Sequence, residues 1–242
     1  MKTNRPAQLL LGLLLTVSIS CDREDNNFGD AAQVTEEEAL EMVQTSLTSE
    51  AYGMPIQATD AATLDSDSTA KTMYECGVLN SISMTRNSAE NAAIKFTHSI
   101  DYLFSLVCDG DKPKAFAIEF EGNGTYSSPR MDSDDIVTYE AVLSNIAESG
   151  STYAYTGSFT REGTQTTRIA GRTRNFDSTL SIESSGVSID KETRKILEGS
   201  STFSLTGTLS TGETFSYIGT VTYEGNGAAT VVMNGNTYQV QI

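Results

Sequence analysis

Three cysteines are the residues of this chain with the most sharply defined chemistry. Cys21 directly follows Ser18-Ile19-Ser20 at the end of an apolar stretch, whereas Cys76 and Cys108 lie well inside the chain. If Cys21 is modified, Cys76 and Cys108 remain as an even pair, which favours a disulfide in an oxidising compartment. Two buried free thiols are the alternative. A zinc site is less favoured, because only one histidine is available to complete four ligands.

His98 is the only histidine, and histidine is the side chain best suited to proton transfer near neutral pH. It lies in IKFTHSIDYLF, beside an alternating apolar pattern, and the chain contains no GxSxG-like nucleophile elbow. A catalytic histidine would need a nucleophile to activate, and paired cysteines could not serve. The sequence therefore predicts a structural or surface role for His98, and a protein that is not an enzyme.

Acidic residues cluster at Asp65-Ser66-Asp67, Asp109-Gly110-Asp111 and Asp132-Ser133-Asp134-Asp135. Carboxylates separated by small residues can bind a hard cation such as Ca²⁺, but none of these clusters has EF-hand spacing. Because Asp is favoured in turns, we expect loops or turns at all three places and no metal site. No cofactor is predicted either, since the EGNG segments lack the lysine of a phosphate-binding loop.

The charge balance narrows the choice of partners. The chain has 16 Lys and Arg against 32 Asp and Glu, for a net charge of −16. Such an acidic protein repels phosphate backbones, so nucleic acid is not an expected partner. Attraction to anionic lipid headgroups is disfavoured for the same reason.

The N-terminal residues have the order of a secretory signal peptide. Lys2 and Arg5 come first, LLLGLLL follows at residues 9–15, and small residues precede Cys21. The apolar stretch at residues 9–19 is shorter than the roughly 20 residues that a membrane-spanning helix needs. It is therefore predicted to target the chain and not to span the membrane.

The position of Cys21 resembles the lipobox cysteine of bacterial lipoproteins, which receives a diacylglyceryl thioether before cleavage. The match departs from the usual pattern at Ser18, where leucine is usual, and at Ile19, which is bulkier than usual. An ordinary cleaved signal with an incidental cysteine is the alternative. The resemblance implies lipidation of Cys21 and membrane contact through acyl chains, since two or more chains anchor a protein stably.

Over its whole length the chain resembles uncharacterised Gram-negative lipoproteins, with a lipidated cysteine, an acidic tether and a Thr/Ser/Gly-rich β domain with one disulfide. This resemblance implies an outer-membrane location on the periplasmic face or the cell surface. Asp22, Glu24 and Asp25 resemble the short acidic export tags of some surface lipoproteins. A solvated linker is the alternative for this charged run.

One helix is predicted near the start of the mature chain, over about residues 35–51. Thr35 and Glu38 form a capping-box pattern, and Gly53 is read as the end of the helix. The polar segment at residues 58–72 that follows is predicted to be a loop.

From about residue 73 onward the pattern is β almost throughout. Thr211-Gly212, Asn226-Gly227 and Asn234-Gly235 each separate runs rich in Thr, Val, Tyr and Phe, as in β-hairpins. A further turn is predicted at Glu162-Gly163. KETR at residues 191–194 is predicted to connect another hairpin, and a short helix is the alternative for this stretch.

These strands have one thin apolar face each, which predicts a mainly all-β fold. The expected architecture is an extended, curved antiparallel meander sheet with the one N-terminal helix packed on its concave side, and a β-sandwich is the alternative. The predicted division of the chain is a lipoprotein signal peptide at residues 1–20, an acidic flexible tether at 21–33 and a single β-rich domain at 34–242.

Two functions compete for this architecture. The first is a lipid-anchored cell-envelope protein with a non-catalytic binding or structural β domain. The second is a carrier of a lipophilic ligand in a curved half-barrel sheet. The aromatic residues are sufficient for one packed face with little surplus for a cavity, which favours the first. The partner beyond the membrane is an unknown protein, glycan or lipophilic ligand.

Overall fold

The computed structural model describes five segments of the chain: 33–48, 51, 53–66, 75–147 and 149–242. The predicted signal peptide, Cys21 and almost all of the predicted tether lie outside them. Two helices come first, α1 over Glu36–Thr45 and α2 over Met54–Ser66. Ten strands follow: β1 Leu79–Asn87, β2 Lys95–Asp109, β3 Lys112–Ser127, β4 Met131–Ser144, β5 Thr152–Ile169, β6 Arg172–Asp190, β7 Ile196–Leu209, β8 Thr214–Gly225, β9 Ala228–Met233 and β10 Asn236–Gln241.

All ten strands belong to one antiparallel sheet, in which every strand pairs with its neighbours in the chain. In the part of the chain that the structure describes, β1 and β10 each have one partner strand and do not pair with each other, so the sheet is open. The predicted meander sheet is therefore confirmed. The alternative β-sandwich is wrong, because the described strands form one sheet and not two.

The strands from β2 onward each bury residues on one face, as the sequence predicted, whereas β1 at the edge has no buried residue. In β4, Tyr139, Ala141 and Leu143 are buried, whereas the residues between them are exposed. Cross-strand pairing places the buried residues of neighbouring strands side by side on the same inner face. An aromatic row crosses this inner face from Tyr102 through Phe120 to Tyr139, with ring centroids 5.3 Å and 5.2 Å apart.

Contacts of α2 show that the sheet is strongly curved. Thr59 Oγ1 donates a hydrogen bond to the carbonyl oxygen of Arg194, between β6 and β7, at 3.1 Å. The next residue, Asp60, is bonded to Arg86 of β1 at 2.8 Å. In a flat sheet β1 and β6 would lie roughly 24 Å apart, too far for adjacent helix residues to reach both. The sheet therefore curls around both helices, and the predicted position of the one N-terminal helix, α1, on the concave face is confirmed.

The predicted turn at Glu162-Gly163 is wrong. Strand β5 continues through both residues, and the turn comes at Ala170-Gly171, where both φ angles are positive. Gly163 lies on the concave face, and a Cβ there would be 2.1 Å from the carbonyl oxygen of Asp134. The glycine is needed because backbone and side chains crowd together where the sheet bends.

The start of α1 is as predicted, but its end is not. Thr35 is the N-cap, and Thr35 and Glu38 make both hydrogen bonds of a capping box. The helix ends at Thr45, about six residues before the predicted end. The chain reverses after it: the backbone N–H of Gly53 bonds to the carbonyl of Thr48, and a Cβ on Gly53 would be 2.2 Å from the carbonyl oxygen of Ser46.

The second helix, α2, was missed, and much of the predicted loop at residues 58–72 is helical. Pro55 lies in the first turn of α2, where the missing N–H leaves no helical hydrogen bond unmade. Ala58, Ala61 and Ala62 are fully or almost fully buried, because small side chains let the helix lie close to its neighbours. Neither described helix combines the length and apolarity that crossing a membrane would require.

The other predicted turns are confirmed. Asn226-Gly227 and Asn234-Gly235 connect β8 to β9 and β9 to β10, and all four residues have positive φ angles, as a type I′ turn requires. Thr211-Gly212 lies between β7 and β8. Residues 191–194 connect β6 to β7, so the hairpin around KETR is confirmed as well.

Cys76 and Cys108 form a disulfide, as predicted, with their Cα atoms 5.7 Å apart. The bond joins the segment before β1 to the end of β2. A covalent link across 32 residues restricts the unfolded chain, and in the chain-entropy model this stabilises the fold by about 3.7 kcal/mol.

The prediction of a loop or turn is confirmed for only one of the three acidic clusters. Asp109-Gly110-Asp111 forms the turn between β2 and β3, as expected. The prediction of a loop or turn at residues 132–135 is wrong, because all four lie inside β4. Asp65 and Ser66 belong to the end of α2 and not to a loop, and Asp67 is outside the described residues.

The continuity of β5 predicts a large effect of one methyl group. Gly163→Ala should lower the free energy of unfolding by at least about 2 kcal/mol, because the new Cβ overlaps the β4 backbone. Gly150→Ala is the matched control, since a Cβ there meets nothing within 4 Å. Urea unfolding of both variants provides the measurement. Equal stability of the two would contradict the described path of β5.

Candidate functional site

A buried ion pair lies on the concave face below α1. Arg161 of β5 donates from Nε to Asp135 Oδ2 of β4 at 2.6 Å. The two side chains are only 7% and 3% exposed. The guanidinium also donates to Ser133 at 2.6 Å and to Ser46, just after α1, at 3.1 Å. The pair therefore connects the helix end to two neighbouring strands.

A second buried ion pair lies at the start of α1. Arg174 of β6 donates to Glu38, whose carboxylate also accepts from the backbone N–H of Thr35 at 2.8 Å and from Thr167 of β5 at 3.1 Å. Burial is the largest single influence and raises the pKa of Glu38, but the Thr35 hydrogen bonds and Arg174 together outweigh it. The pKa of Glu38 is therefore lowered, and the carboxylate is charged at neutral pH.

Neutral polar side chains extend the first pair across the sheet. Gln165 Nε2 donates to Asp135 at 2.7 Å, and Ser178 donates to the amide oxygen of Gln165 at 2.6 Å. A cavity of about 10 Å³ lies between these groups, Met42 and Leu180. It has room for roughly one water molecule. The space between α1 and the sheet is thus filled by side chains.

His98 lies beside this network and is buried, with 5% of its surface exposed. Its ring covers Gly124, where a Cβ would be 2.0 Å from Nδ1. Burial lowers the pKa of His98 to about 4, and the positive charge of Arg161 adds to this effect. The imidazole is therefore neutral at pH 7 and covered by protein, so the surface position that the sequence also allowed is wrong.

The polar groups of the concave face bind one another. The buried carboxylates of Glu38 in α1 and Asp135 in β4 are each paired with a guanidinium from another element, and both guanidiniums are covered by protein. Breaking such a pair by removing one partner is costly, because the other charge stays buried without compensation. The arrangement is suited to holding α1 in one position on the sheet.

The outer, convex face has a different chemistry. A groove of about 800 Å³ crosses it over β2–β5, and we call it the outer groove. Four carboxylates line it, from Asp101, Glu119, Glu121 and Glu140. Asp101 lies directly opposite Glu121, and Glu119 lies directly opposite Glu140. Like charges in directly opposed positions destabilise a sheet.

Apolar side chains share the outer groove with these acids. Ile136 is 57% exposed and Leu103 is 38% exposed, and hydroxyls of Ser158 and Thr160 lie along the β5 side. The described lining residues include no Lys or Arg that would neutralise the carboxylates. Across the described residues, no three His, Cys, Asp or Glu side chains converge as metal ligands. The outer groove therefore offers an open surface of mixed acidic and apolar character.

The sequence contained a signal for Asp135 and Arg161 that the turn prediction obscured. In MDSDDIVTYEAVLS the apolar residues Met131, Val137, Tyr139 and Leu143 are an even number of positions apart, and Asp135 falls on the same side of the strand as they do. Arg161 has the parity of Phe159 in β5. Residues on the opposite parity, including Glu119 and Glu140, could have been assigned to the outer face in the same way.

Comparison of the chain with protein families, curated proteins and solved structures returned no match. The chain folds into an open, curved antiparallel sheet around two helices, with two buried ion pairs within the apolar concave face and an acidic outer groove.

The buried pair of Arg161 and Asp135 predicts strong energetic coupling. Arg161→Met should lower the free energy of unfolding by about 3–5 kcal/mol, because Asp135 then stays buried without its counter-charge. Asp135→Asn should lower the free energy of unfolding far less in the Arg161→Met background than in the wild type. A double-mutant cycle from urea unfolding measures this coupling.

The control cycle uses Arg168 and Asp132, which pair between the same two strands on the outer face and are 42% and 39% exposed. This exposed pair should show little or no coupling. Additive effects of the two substitutions in the buried pair would show that its charges do not depend on each other.

Proposed function

We propose that this protein is a lipid-anchored module of the bacterial cell envelope whose β domain binds a partner without catalysis. In this proposal Cys21 bears acyl chains and residues 22–33 form the tether. The order of residues 1–21 supports export and lipidation. The Cys76–Cys108 disulfide agrees with an oxidising compartment such as the periplasm or the cell surface.

The observation that carries the binding role is the contrast between the two faces of the sheet. The concave face is occupied by α1, α2 and their ion pairs, and its charged groups face one another. The outer groove has four carboxylates in opposed pairs, exposed apolar side chains and a volume of about 800 Å³. Like charges placed opposite each other in this way are more typical of binding surfaces than of surfaces selected for stability.

The chemistry of the outer groove favours an extended segment of a partner protein with both basic and apolar side chains. Lys or Arg would relieve the repulsion between Glu119 and Glu140 and between Asp101 and Glu121. Apolar side chains of the same segment would cover Leu103 and Ile136. An anionic partner would meet repulsion both from the groove and from the whole chain, with its net charge of −16.

The carrier of a lipophilic ligand remains the alternative function, with less support. Pockets for small molecules typically have volumes of roughly 300–1,000 Å³ and apolar linings. The cavity between α1 and the sheet has only about 10 Å³ and polar groups in its wall. Lipid that copurifies with the domain in near-stoichiometric amounts, seen by native mass spectrometry, would make the carrier the better proposal.

The anchor is tested by metabolic labelling with a fatty-acid probe in a Gram-negative host. The wild-type chain should incorporate the probe, and Cys21→Ala should not, because the thioether can form only on a cysteine at that position. The double variant Cys76→Ala with Cys108→Ala is the control and should be labelled like the wild type. Equal labelling of the wild type and Cys21→Ala would disprove lipidation at this residue.

The outer groove is tested by binding of a short peptide that alternates lysine with valine. The full chain with Cys21→Ala should bind it, and Glu119→Gln with Glu140→Gln should weaken the affinity roughly tenfold, as expected for the loss of two charge contacts. Calorimetric titration measures the affinities, and a peptide with glutamate in place of lysine should not bind.

The matched control removes two exposed carboxylates elsewhere, with Glu192→Gln and Glu198→Gln. This variant has the same net charge as the groove variant but should keep most of the affinity. If both double variants lose affinity equally, peptide binding depends only on the net charge of the protein, and the outer groove is not the binding site.

A further inference from the structure

The first strand of the sheet has an open edge. β1 pairs with β2 over all nine of its residues without a register shift, and no other strand in the described segments pairs with its opposite side. Soluble proteins usually protect such edges with proline, lysine, bulges or short strands. β1 has no proline, no lysine and no bulge, and it is longer than β10 at the other edge, which has six residues.

The backbone groups at this edge can be assigned from the hydrogen bonding of the next residue. The N–H of Ser88 donates to the carbonyl of Phe96 in β2 at 2.9 Å. Because N–H and C=O groups of alternate residues point to opposite sides of a strand, the even-numbered residues of β1 face β2. The N–H and C=O groups of residues 79, 81, 83, 85 and 87 therefore point away from the sheet.

This set of outward groups is self-complementary. If two copies of β1 run antiparallel with Ser83 opposite Ser83, residue 81 lies opposite 85 and residue 79 opposite 87. Every outward N–H of one copy then meets an outward C=O of the other. On the concave side Ile82 of each copy comes opposite Met84 of the other, where the side chains of a non-hydrogen-bonded pair lie close together.

Charge favours this edge as the place where two copies meet. The chain has a net charge of −16, so most of its surface repels a second copy. β1 has no acidic residue, and its one charged residue, Arg86, would lie opposite Asn80 of the second copy. Antiparallel pairing around Ser83 therefore brings no like charges into opposition.

Exposed apolar side chains concentrate at the same edge. Leu79 is 65% exposed and Val78 is 45% exposed. Leu79 lies opposite Ser105, so Leu103 and Val107 are its diagonal neighbours on the outer face, and both are also exposed. A second copy at this edge would cover part of this patch, which is typical of an interaction surface.

We propose that the protein forms a two-fold symmetric dimer in which β1 of each copy pairs antiparallel with β1 of the other, with Ser83 on the axis. The interface is isologous, as most soluble homodimer interfaces are. The two sheets join into one, and the two outer grooves lie on the same side of it, beyond β1 of each copy.

Sedimentation equilibrium of the full chain with Cys21→Ala tests the dimer. The expected mass is twice that of the monomer, and the dimer fraction should rise with salt, because salt screens the repulsion between the acidic copies. Ser83→Pro should weaken dimerisation at least roughly tenfold, since proline removes an outward N–H. It breaks no backbone bond to β2, although the hydrogen bond from the Ser83 hydroxyl to Asp101 of β2 is lost, as Gln239→Pro loses the side-chain bond to Thr230 of β9. A monomer at all concentrations would overturn the proposal.

Gln239→Pro is the matched control, because Gln239 has the corresponding outward position on β10. The bond from the N–H of Ile242 to Gly227 shows that the even-numbered residues of β10 face β9. This variant should dimerise like the parent chain. A dimer that Ser83→Pro leaves unchanged would exclude β1 as the interface.

Cysteine crosslinking tests the register even if the proline variant does not fold. Ser83→Cys should form an intermolecular disulfide, since opposed residues in a hydrogen-bonded pair have Cα atoms about 5.5 Å apart, within the disulfide range. Ser81→Cys should not, because its equivalent lies four residues away along the partner strand, roughly 13 Å. Equal crosslinking of both variants would reject a dimer with Ser83 on the axis.

Discussion

Burial of charge under α1 is the constraint on which the rest of this fold depends. Glu38 lies in the helix and its partner Arg174 lies in β6, while Asp135 and Arg161 come from β4 and β5. None of these side chains can be buried at acceptable cost without its partner. The helix position, the register of β4 with β5 and the bend of the sheet must therefore be correct at the same time.

The sheet has the shape that this burial requires. A helix covers only a narrow part of a flat sheet, whereas a curled sheet surrounds it and excludes water from both ion pairs. The curl depends on inward-facing glycines such as Gly124 and Gly163, whose missing side chains make room for His98 and for the β4 backbone. Gly163, which the sequence placed in a turn, is thus one of the residues that allow close packing on the concave face.

Local rules were sufficient for a large part of the fold. The capping box of Thr35 and Glu38 and the turns at Asn226-Gly227 and Asn234-Gly235 depend on neighbouring residues alone, and each was predicted at its position. The missed features depend on distant contacts. From the sequence alone, Pro55 is equally compatible with the end of one helix and the start of the next, and only its contacts in the folded chain distinguish the two. Asp135 cannot be paired with Arg161 until the register of β4 and β5 is fixed.

The attachment of the chain just before α1 has a mechanical consequence. The hydroxyl of Tyr217 in β8 donates a hydrogen bond to the carbonyl oxygen of Val34, and the hydroxyl of Tyr238 in β10 donates one to Glu36. The guanidinium of Arg174 in β6 donates to Glu38. Tension applied from the N-terminal side of residue 33 therefore acts on three strands in succession before it reaches the body of the helix. A load applied there is shared among bonds spread over much of the sheet, so the fold resists the separation of α1 from the concave face.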